Sequence, residues 1–346
     1  MMGEPSTTFP VETGLDQYKG WWHGITTGDF NNDGRPDIVA ANWGLNSSYK
    51  IKHGEPLRLY YDDFNGDRRV DIIEAHADGE GNYVPMKRLY HYNSLPIISN
   101  QVQSYEQFAS STLEDIFGNQ LSRIPYKEIN TLQHTLFINT GSSFEAHPLP
   151  VEAQVSAGFH TGVADFNNDG NEDLFMSQNY FGLPRQVPRL DAGRGLILHG
   201  DGQGNFRAVS GSSSGIKIYG EQRGAATSDF NQDGKTDLVV SQNNAATTLF
   251  LNQTSEVGYS VTLEGPPSNG NGVGSAVQLV YENGQQGPLR EIQAGSGYWS
   301  QNSFTQVLGS KAGNEVTGIE IHWFDGRSQT VEVEEGQRTY EVEFPG

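Results

Sequence analysis

The sequence predicts an all-β chain: a β-propeller, complete or an incomplete ring of blades, carrying a helical insertion and followed by a small C-terminal β-sandwich-like domain. Three observations carry that expectation. A nine-residue string, Asp-Phe-Asn-x-Asp-x-x-x-Asp, occurs four times, beginning at Asp29, Asp63, Asp165 and Asp229. Each copy runs into a short apolar segment rich in β-branched residues, the pattern of a buried strand. After Asn252 the strings stop, and a turn-rich strip at 266–272 leads into alternating strand-like segments.

Each string places oxygen-bearing side chains at positions 1, 3, 5 and 9 and a main-chain carbonyl at position 7. Calcium takes about six to eight hard oxygen ligands, and a tight loop supplies them in this alternating way. The candidate ligands of the first loop are Asp29, Asn31, Asp33, Arg35 and Asp37. Those of the second are Asp63, Asn65, Asp67, Arg69 and Asp71. The third offers Asp165, Asn167, Asp169, Asn171 and Asp173, and the fourth Asp229, Asn231, Asp233, Lys235 and Asp237. Arg35, Arg69, Asn171 and Lys235 enter through their carbonyl oxygens, so up to four Ca2+ ions are expected. Solvated Asn/Asp/Gly turns are the bland alternative, but three aspartates crowded into each of four short loops repel one another unless a cation intervenes. Gly34, Gly170 and Gly234 stand at position 6, where the chain turns sharply. The second string has Gly66 at position 4 and Arg68 at position 6, so a strained or differently turned loop is expected there.

An EF-hand would place a bidentate Glu at position 12 and start a helix. Here position 12 is Ala40, Glu74, Met176 or Val240, and the segments read as strands, such as Leu174-Phe175-Met176-Ser177. The loops therefore join strands of one sheet. Further strand candidates recur at Thr135-Leu136-Phe137-Ile138-Asn139, Leu196-Ile197-Leu198-His199 and Thr248-Leu249-Phe250-Leu251-Asn252, the layout of propeller blades. Over residues 20–255 the sequence resembles the FG-GAP/VCBS repeat family, whose blades carry calcium loops between their first two strands. That resemblance implies one ion per loop on the residues named above. Successive strings lie 34, 102 and 64 residues apart, so the long interval holds an insertion. It is placed at about 87–126, where apolar residues spaced three and four apart in Ser104-Tyr105-Glu106-Gln107-Phe108-Ala109 and Leu113-Glu114-Asp115-Ile116-Phe117 predict short helices. Either a rim lid or a partner-binding device suits it.

Residues 256–346 form the second expected domain, with strands at Ala276-Val277-Gln278-Leu279-Val280-Tyr281, Leu289-Arg290-Glu291-Ile292-Gln293, Thr317-Gly318-Ile319-Glu320-Ile321-His322-Trp323 and Gln329-Thr330-Val331-Glu332-Val333. This part resembles the ASPIC/UnbV domain of cartilage acidic protein-like chains. The matching residues are Ser268-Asn269-Gly270-Asn271-Gly272-Val273-Gly274-Ser275, Gly295-Ser296-Gly297-Tyr298-Trp299-Ser300-Gln301-Asn302-Ser303 and Ile321-His322-Trp323-Phe324-Asp325-Gly326. Two departures are Val307-Leu308-Gly309, where the family has Gly-Leu-Gly, and Phe324, where it has Pro.

The formal net charge of −20 includes twelve aspartates in the loops, and the remaining acidity disfavours nucleic acid, which needs a basic footprint. No apolar run is long enough to span a membrane, and no basic-then-apolar leader is visible. The chain has no cysteine, so calcium and core burial are expected to stabilise it. Millimolar calcium outside cells suits such loops, so an extracellular or cell-surface location is expected. Among His23, His53, His76, His91, His160 and His199 no nucleophile or metal motif is formed. Three functions stay open: a calcium-stabilised binder of a protein or carbohydrate ligand, an enzyme on a polysaccharide or small molecule at the propeller face or channel, and an architectural module of a larger surface protein. Trp43, Tyr180 and Phe181 follow strands after ion loops, placed either to stack on carbohydrate or to pack between blades.

Overall fold

A computed structural model describes residues 13–346 apart from 53, 93, 94, 103 and 186, and the chain divides into two compact units. Among the described residues most of the regular structure is β, arranged in six small sheets. The larger unit comprises residues 13–14, 22–46 and 133–346, and the smaller comprises 15–21 and 47–132. His53 lies outside the described residues.

The larger unit contains three antiparallel sheets that each begin with a strand, an ion-type loop and a second strand. The first runs Gly24–Gly28, Asp37–Ala41, Thr135–Asn139 and Phe144–Pro148. The second runs Gly158–Ala164, Asp173–Gln178, Leu196–Gly200 and Phe206–Val209, and the third Glu221–Ser228, Asp237–Asn243 and Ala245–Phe250. In all three the last aspartate of the string pairs with the residue before its first. Gly28 faces Asp37, Ala164 faces Asp173 and Ser228 faces Asp237. The opening strand of the second sheet lies between those of the first and third. Gly24 is needed there: a Cβ on it would stand 2.0 Å from the carbonyl oxygen of Phe159.

Apolar runs after the loops bury both faces, which explains why they do not alternate. Leu174 and Met176 enter a core with Phe30, Val39, Leu136 and Leu198, between the first and second sheets. Phe175 points the other way, into a core with Phe166, Ile197, Leu238 and Val240. Phe30 and Phe166, the phenylalanines of the first and third strings, thus anchor their loops to the neighbouring sheet.

The smaller unit explains the irregular spacing of the strings. The chain leaves the first sheet after Asp37–Ala41 and returns to it at Thr135–Asn139, and the whole of the second string is threaded in between. This unit has its own sheet, in the order Tyr83–Pro85, Asp71–Ala77, Leu57–Asp62 and Tyr126–Ile129. Its helices Pro96–Gln101, Tyr105–Ser110 and Leu113–Phe117 fall in the 87–126 stretch, the last opened by a Thr112–Asp115 capping box. Ile98, Leu113, Ile116 and Phe117 pack with Ile73 and Ala75 of the sheet.

The C-terminal domain, part of the larger unit, consists of two facing sheets. Tyr259–Glu264 pairs with Gln306–Leu308 on one side and, in parallel, with Thr339–Glu343 on the other. Arg290–Glu291, Ala276–Tyr281, Val316–His322 and Ser328–Glu332 form the second sheet. Val261, Leu263, Leu279, Ile319, Ile321, Trp323 and Val342 fill the space between. Phe324, where the resemblance expects Pro, stacks on Phe344 at 5.4 Å.

His134 ties the first sheet to the start of the second. Its Nδ1 accepts from the Asn42 N–H at 2.8 Å and its Nε2 donates to the Ser156 oxygen at 2.9 Å. Complete burial lowers its pKa to about 4. A histidine held below its ordinary value stabilises the fold above pH 6.5 and loses that contribution as pH falls from 6.5 toward 4. In chelator, the melting temperature of the unmodified protein should therefore decline relative to that of His134→Gln as pH falls through that window, the raised loop carboxylates acting on both proteins alike. Parallel pH profiles for the two proteins in thermal unfolding would rule this out.

Candidate metal loops and aromatic face

All four loops close by one hydrogen-bond pattern. Oδ1 of the first aspartate accepts from the N–H of position 5: Asp33 to Asp29, Asp67 to Asp63, Asp169 to Asp165, Asp233 to Asp229, at 2.9–3.0 Å. Its Oδ2 accepts from the N–H of position 6, at 2.7–3.0 Å. The aspartate at position 9 accepts from the N–H of position 2, as in Asp37 with Phe30 and Asp173 with Phe166. In the first three loops the position-3 asparagine accepts from the position-5 N–H. The side chains of Asn31, Asn167 and Asn231 also donate to Asp33, Asp169 and Asp233. Aspartates 1 and 9 are thereby held by backbone amides of the turn, while the position-5 carboxylates of Asp33 and Asp233 pair with the side chains of Arg35 and Lys235 at position 7.

The second loop is not differently turned, contrary to one of the two expectations. Gly66 takes φ +79° at position 4, where Asn32, Asn168 and Gln232 also have positive φ (56°, 56° and 59°). Arg68 takes φ +67° at position 6, where the others have glycine. The backbone is conserved in shape, and the strain sits in Arg68, a left-handed non-glycine residue costing about 1 kcal/mol.

Burial separates the loops. Asp29, Asp37, Asp165, Asp173 and Asp237 are buried, whereas Asp63 and Asp71 are partly exposed. Desolvation pushes the Asp37 carboxyl up to about 6 against hydrogen bonds from Asn139 and Phe30. It pushes Asp165 up to about 7 against the attraction of Arg290 and the Gly170 N–H, and Asp173 well above the carboxylate range. Such groups hold charge only beside a compensating positive one. The donor set, all hard oxygen, fits calcium, and in the fourth loop Asp233 Oδ1 is buried with no hydrogen-bond partner. Among the described residues no three His, Cys, Asp or Glu side chains form a group that could hold a metal ion.

Position 4, to which the sequence pattern assigns no ligand role, links loops. Asn32 Nδ2 donates to Asn171 Oδ1 of the third loop at 3.2 Å, and Asn168 Nδ2 to the Gly234 oxygen of the fourth at 3.2 Å. Sequence reasoning missed the seating of the C-terminal domain on the loops. The Leu289 N–H donates to Asp29 Oδ2 at 3.0 Å, and the buried Arg290 pairs with Glu172 through two hydrogen bonds. Glycine at position 309 was the available signal: a Cβ there would stand 1.9 Å from Asp165 Oδ2.

At the other end of these sheets, aromatic rings form a connected strip. Trp43 meets Tyr180 edge-on, Tyr180 meets Phe159, Phe159 meets Tyr298, and Tyr298 meets Trp299. Trp43 and Tyr180 thus pack between the first two sheets, and Phe181 lies apart under Arg189. Trp299 is 94% exposed, at φ +50°, on a turn held by the Ser296–Ser300 bridge and the Ile25–Gly297 bridge. His23 stacks on Phe159, and His160 accepts from the Tyr298 N–H. Burial lowers both histidines, His160 to about 4, leaving them neutral. A cavity of about 230 Å3, lined by Thr26, Thr27, Gln293, Ser296 and Asn302 among others, lies between the opening strand of the first sheet and the C-terminal domain.

Relief of the left-handed strain gives a direct check on the second loop. Arg68→Gly should stabilise the protein by about 1 kcal/mol in urea unfolding, while Gly34→Ala at the equivalent place should destabilise it. A destabilised Arg68→Gly protein would contradict the strain.

No curated protein matches the chain. Among solved structures, the V. cholerae biofilm matrix protein Bap1 aligns at 13% identity and a TM-score of 0.17, over 90% of this chain and 63% of that one, a likeness too low to carry an argument. The chain thus spans less than two thirds of that protein's length. The family model described as ASPIC and UnbV matches residues 265–346. With its two facing sheets and its glycine-rich turns in the expected places, the C-terminal part of the chain is an ASPIC and UnbV domain.

Proposed function

We propose that the protein is a calcium-binding recognition protein of the extracellular or cell-surface kind, built on FG-GAP/VCBS-type propeller blades. One observation carries the reading: four loops, distributed over two separate units and each holding three aspartates in nine residues, close on the first of them by the same hydrogen-bond pattern. Asp29, Asn31, Asp33, Asp37 and the Arg35 carbonyl would hold one ion, and the equivalent residues of the other loops would hold theirs. When bound, calcium supplies the positive charge that lets buried carboxylates stay ionised side by side, fixing the first two strands of each sheet. Asparagine side chains and main-chain carbonyls belong to each ligand set, so carboxylates alone do not define it.

The rigidified sheets would then present a ligand-binding face. Trp299 supports a carbohydrate there over a protein: an exposed indole on a turn fixed at both ends offers a flat apolar surface of the kind that pyranose C–H faces stack on. The net negative charge argues against polyanionic partners.

Two outcomes are expected. Chelation should lower the melting temperature substantially, since a site filled to one hundred times its Kd contributes roughly 2.7 kcal/mol. Asp165→Ala should remove more of the calcium-dependent stabilisation than Asp63→Ala. An unchanged melting curve in chelator would sink the calcium reading. On a glycan array, binding should require calcium and fall at least tenfold in Trp299→Ala with the melting temperature unchanged. Retention of full binding by that variant would remove the carbohydrate face from the proposal.

A further inference from the structure

The three loops of the larger unit are joined to one another and to the C-terminal domain by groups outside the ligand sets. Asn32 and Asn168 occupy the same position in successive loops, and each donates Nδ2 to the next loop along. Each also leaves its Oδ1 buried without a hydrogen-bond partner. Asn168 reaches further, donating to the Glu256 oxygen at 2.9 Å where the chain enters the C-terminal domain. That domain touches every loop of the unit. The Leu289 N–H lies on Asp29, the Gly309 backbone on Asp165 and Asn168, and the Gly258 N–H donates to the Gly234 oxygen at 2.8 Å. Lys311 covers Gly170, where a Cβ would meet its backbone nitrogen at 2.8 Å.

We infer that loops one, three and four take up calcium as one cooperative set that includes the seating of the C-terminal domain, while loop two titrates independently. The inference rests on the calcium reading of the loops. A metal-free loop with three mutually repelling carboxylates has no reason to hold the shape that Asn32, Asn168, Leu289 and Gly309 fit. Filling one loop fixes its position-4 side chain and the domain surface above it, which orders the next loop before its own ion arrives. Linkage makes the effect reciprocal: a seated domain must raise calcium affinity by the factor with which calcium favours seating. Typical couplings of this kind are about fivefold to 150-fold. Asn32, Asn168, Leu289 and Gly309 are positioning residues and ligate nothing themselves.

Calorimetric titration of the full chain with calcium chloride, read beside hydrogen exchange, tests this. The isotherm should show one independent site and a three-ion phase with a Hill coefficient above 1, and exchange of amides in 287–311 should slow across that second phase. Asp67→Asn should remove only the independent site. Asn168→Ala should bring the Hill coefficient toward 1 and weaken the three-ion phase about tenfold, with the melting temperature in chelator unchanged; Asn32→Ala, should the first variant not fold, must do the same. A purely structural role for Asn168 would shift melting in chelator and leave the Hill coefficient alone. Four independent sites, or exchange in 287–311 that ignores calcium, would overturn the inference while leaving calcium binding intact. No calcium uptake at all would overturn both.

Discussion

Three carboxylates held within nine residues repel one another, and each sheet that carries such a loop begins by managing that repulsion. Backbone N–H groups of positions 2, 5 and 6 turn inward on the aspartates and fix where their oxygens stand. These are the hydrogen bonds an anion keeps best, yet they do not cancel the charge of groups as buried as Asp37, Asp165 and Asp173. The strands on either side inherit their register from this turn, because the ninth residue is the first pair of the ladder. Packing follows in turn, since that register decides which face Leu174, Phe175 and Met176 present to which neighbour.

Much of this was readable in the residues because the signals are local. The string repeats, its strands are short and apolar, and their observed bounds fall where the pattern put them, as at Asp173–Gln178 and Ala276–Tyr281. The helices were visible in the spacing of Phe108, Leu113, Ile116 and Phe117. What stayed hidden is non-local. Nothing in the spacing of the strings says that the second one sits in a unit threaded between two strands of the first sheet, because the closing strand Thr135–Asn139 looks like any other. For the second loop the alternative of strain holds at Arg68 and the alternative of a different turn does not: a positive φ is needed at both position 4 and position 6, and glycine at either one reads alone as a change of turn. The loop-to-loop asparagines and Leu289 were unreadable, since a side chain's or an amide's partner across 139 or 260 residues leaves no local trace.

The histidines illustrate how burial sets chemistry. His134 and His160 lie among the most enclosed side chains and are held neutral by desolvation, their Nδ1 atoms accepting from main-chain amides. Each, lying in a strand or just before one, joins that strand to a loop or turn distant in sequence. Arg223 plays a comparable part, its guanidinium over Phe159 at 4.0 Å and paired with Glu221. His134, His160 and Arg223 at this end of the sheets join neighbouring segments, and Trp299 stands exposed beside them.

One phenylalanine has no shelter. Phe30 and Phe166 are covered by the sheet that follows theirs, whereas Phe230, at the same place in its string, is 69% exposed. Only its main-chain nitrogen serves the turn, through Asp237. Its ring is accordingly apolar surface in contact with water. Because the ring contributes nothing to the turn, a hydrophilic replacement there would improve solubility without disturbing the acidic pocket beneath it.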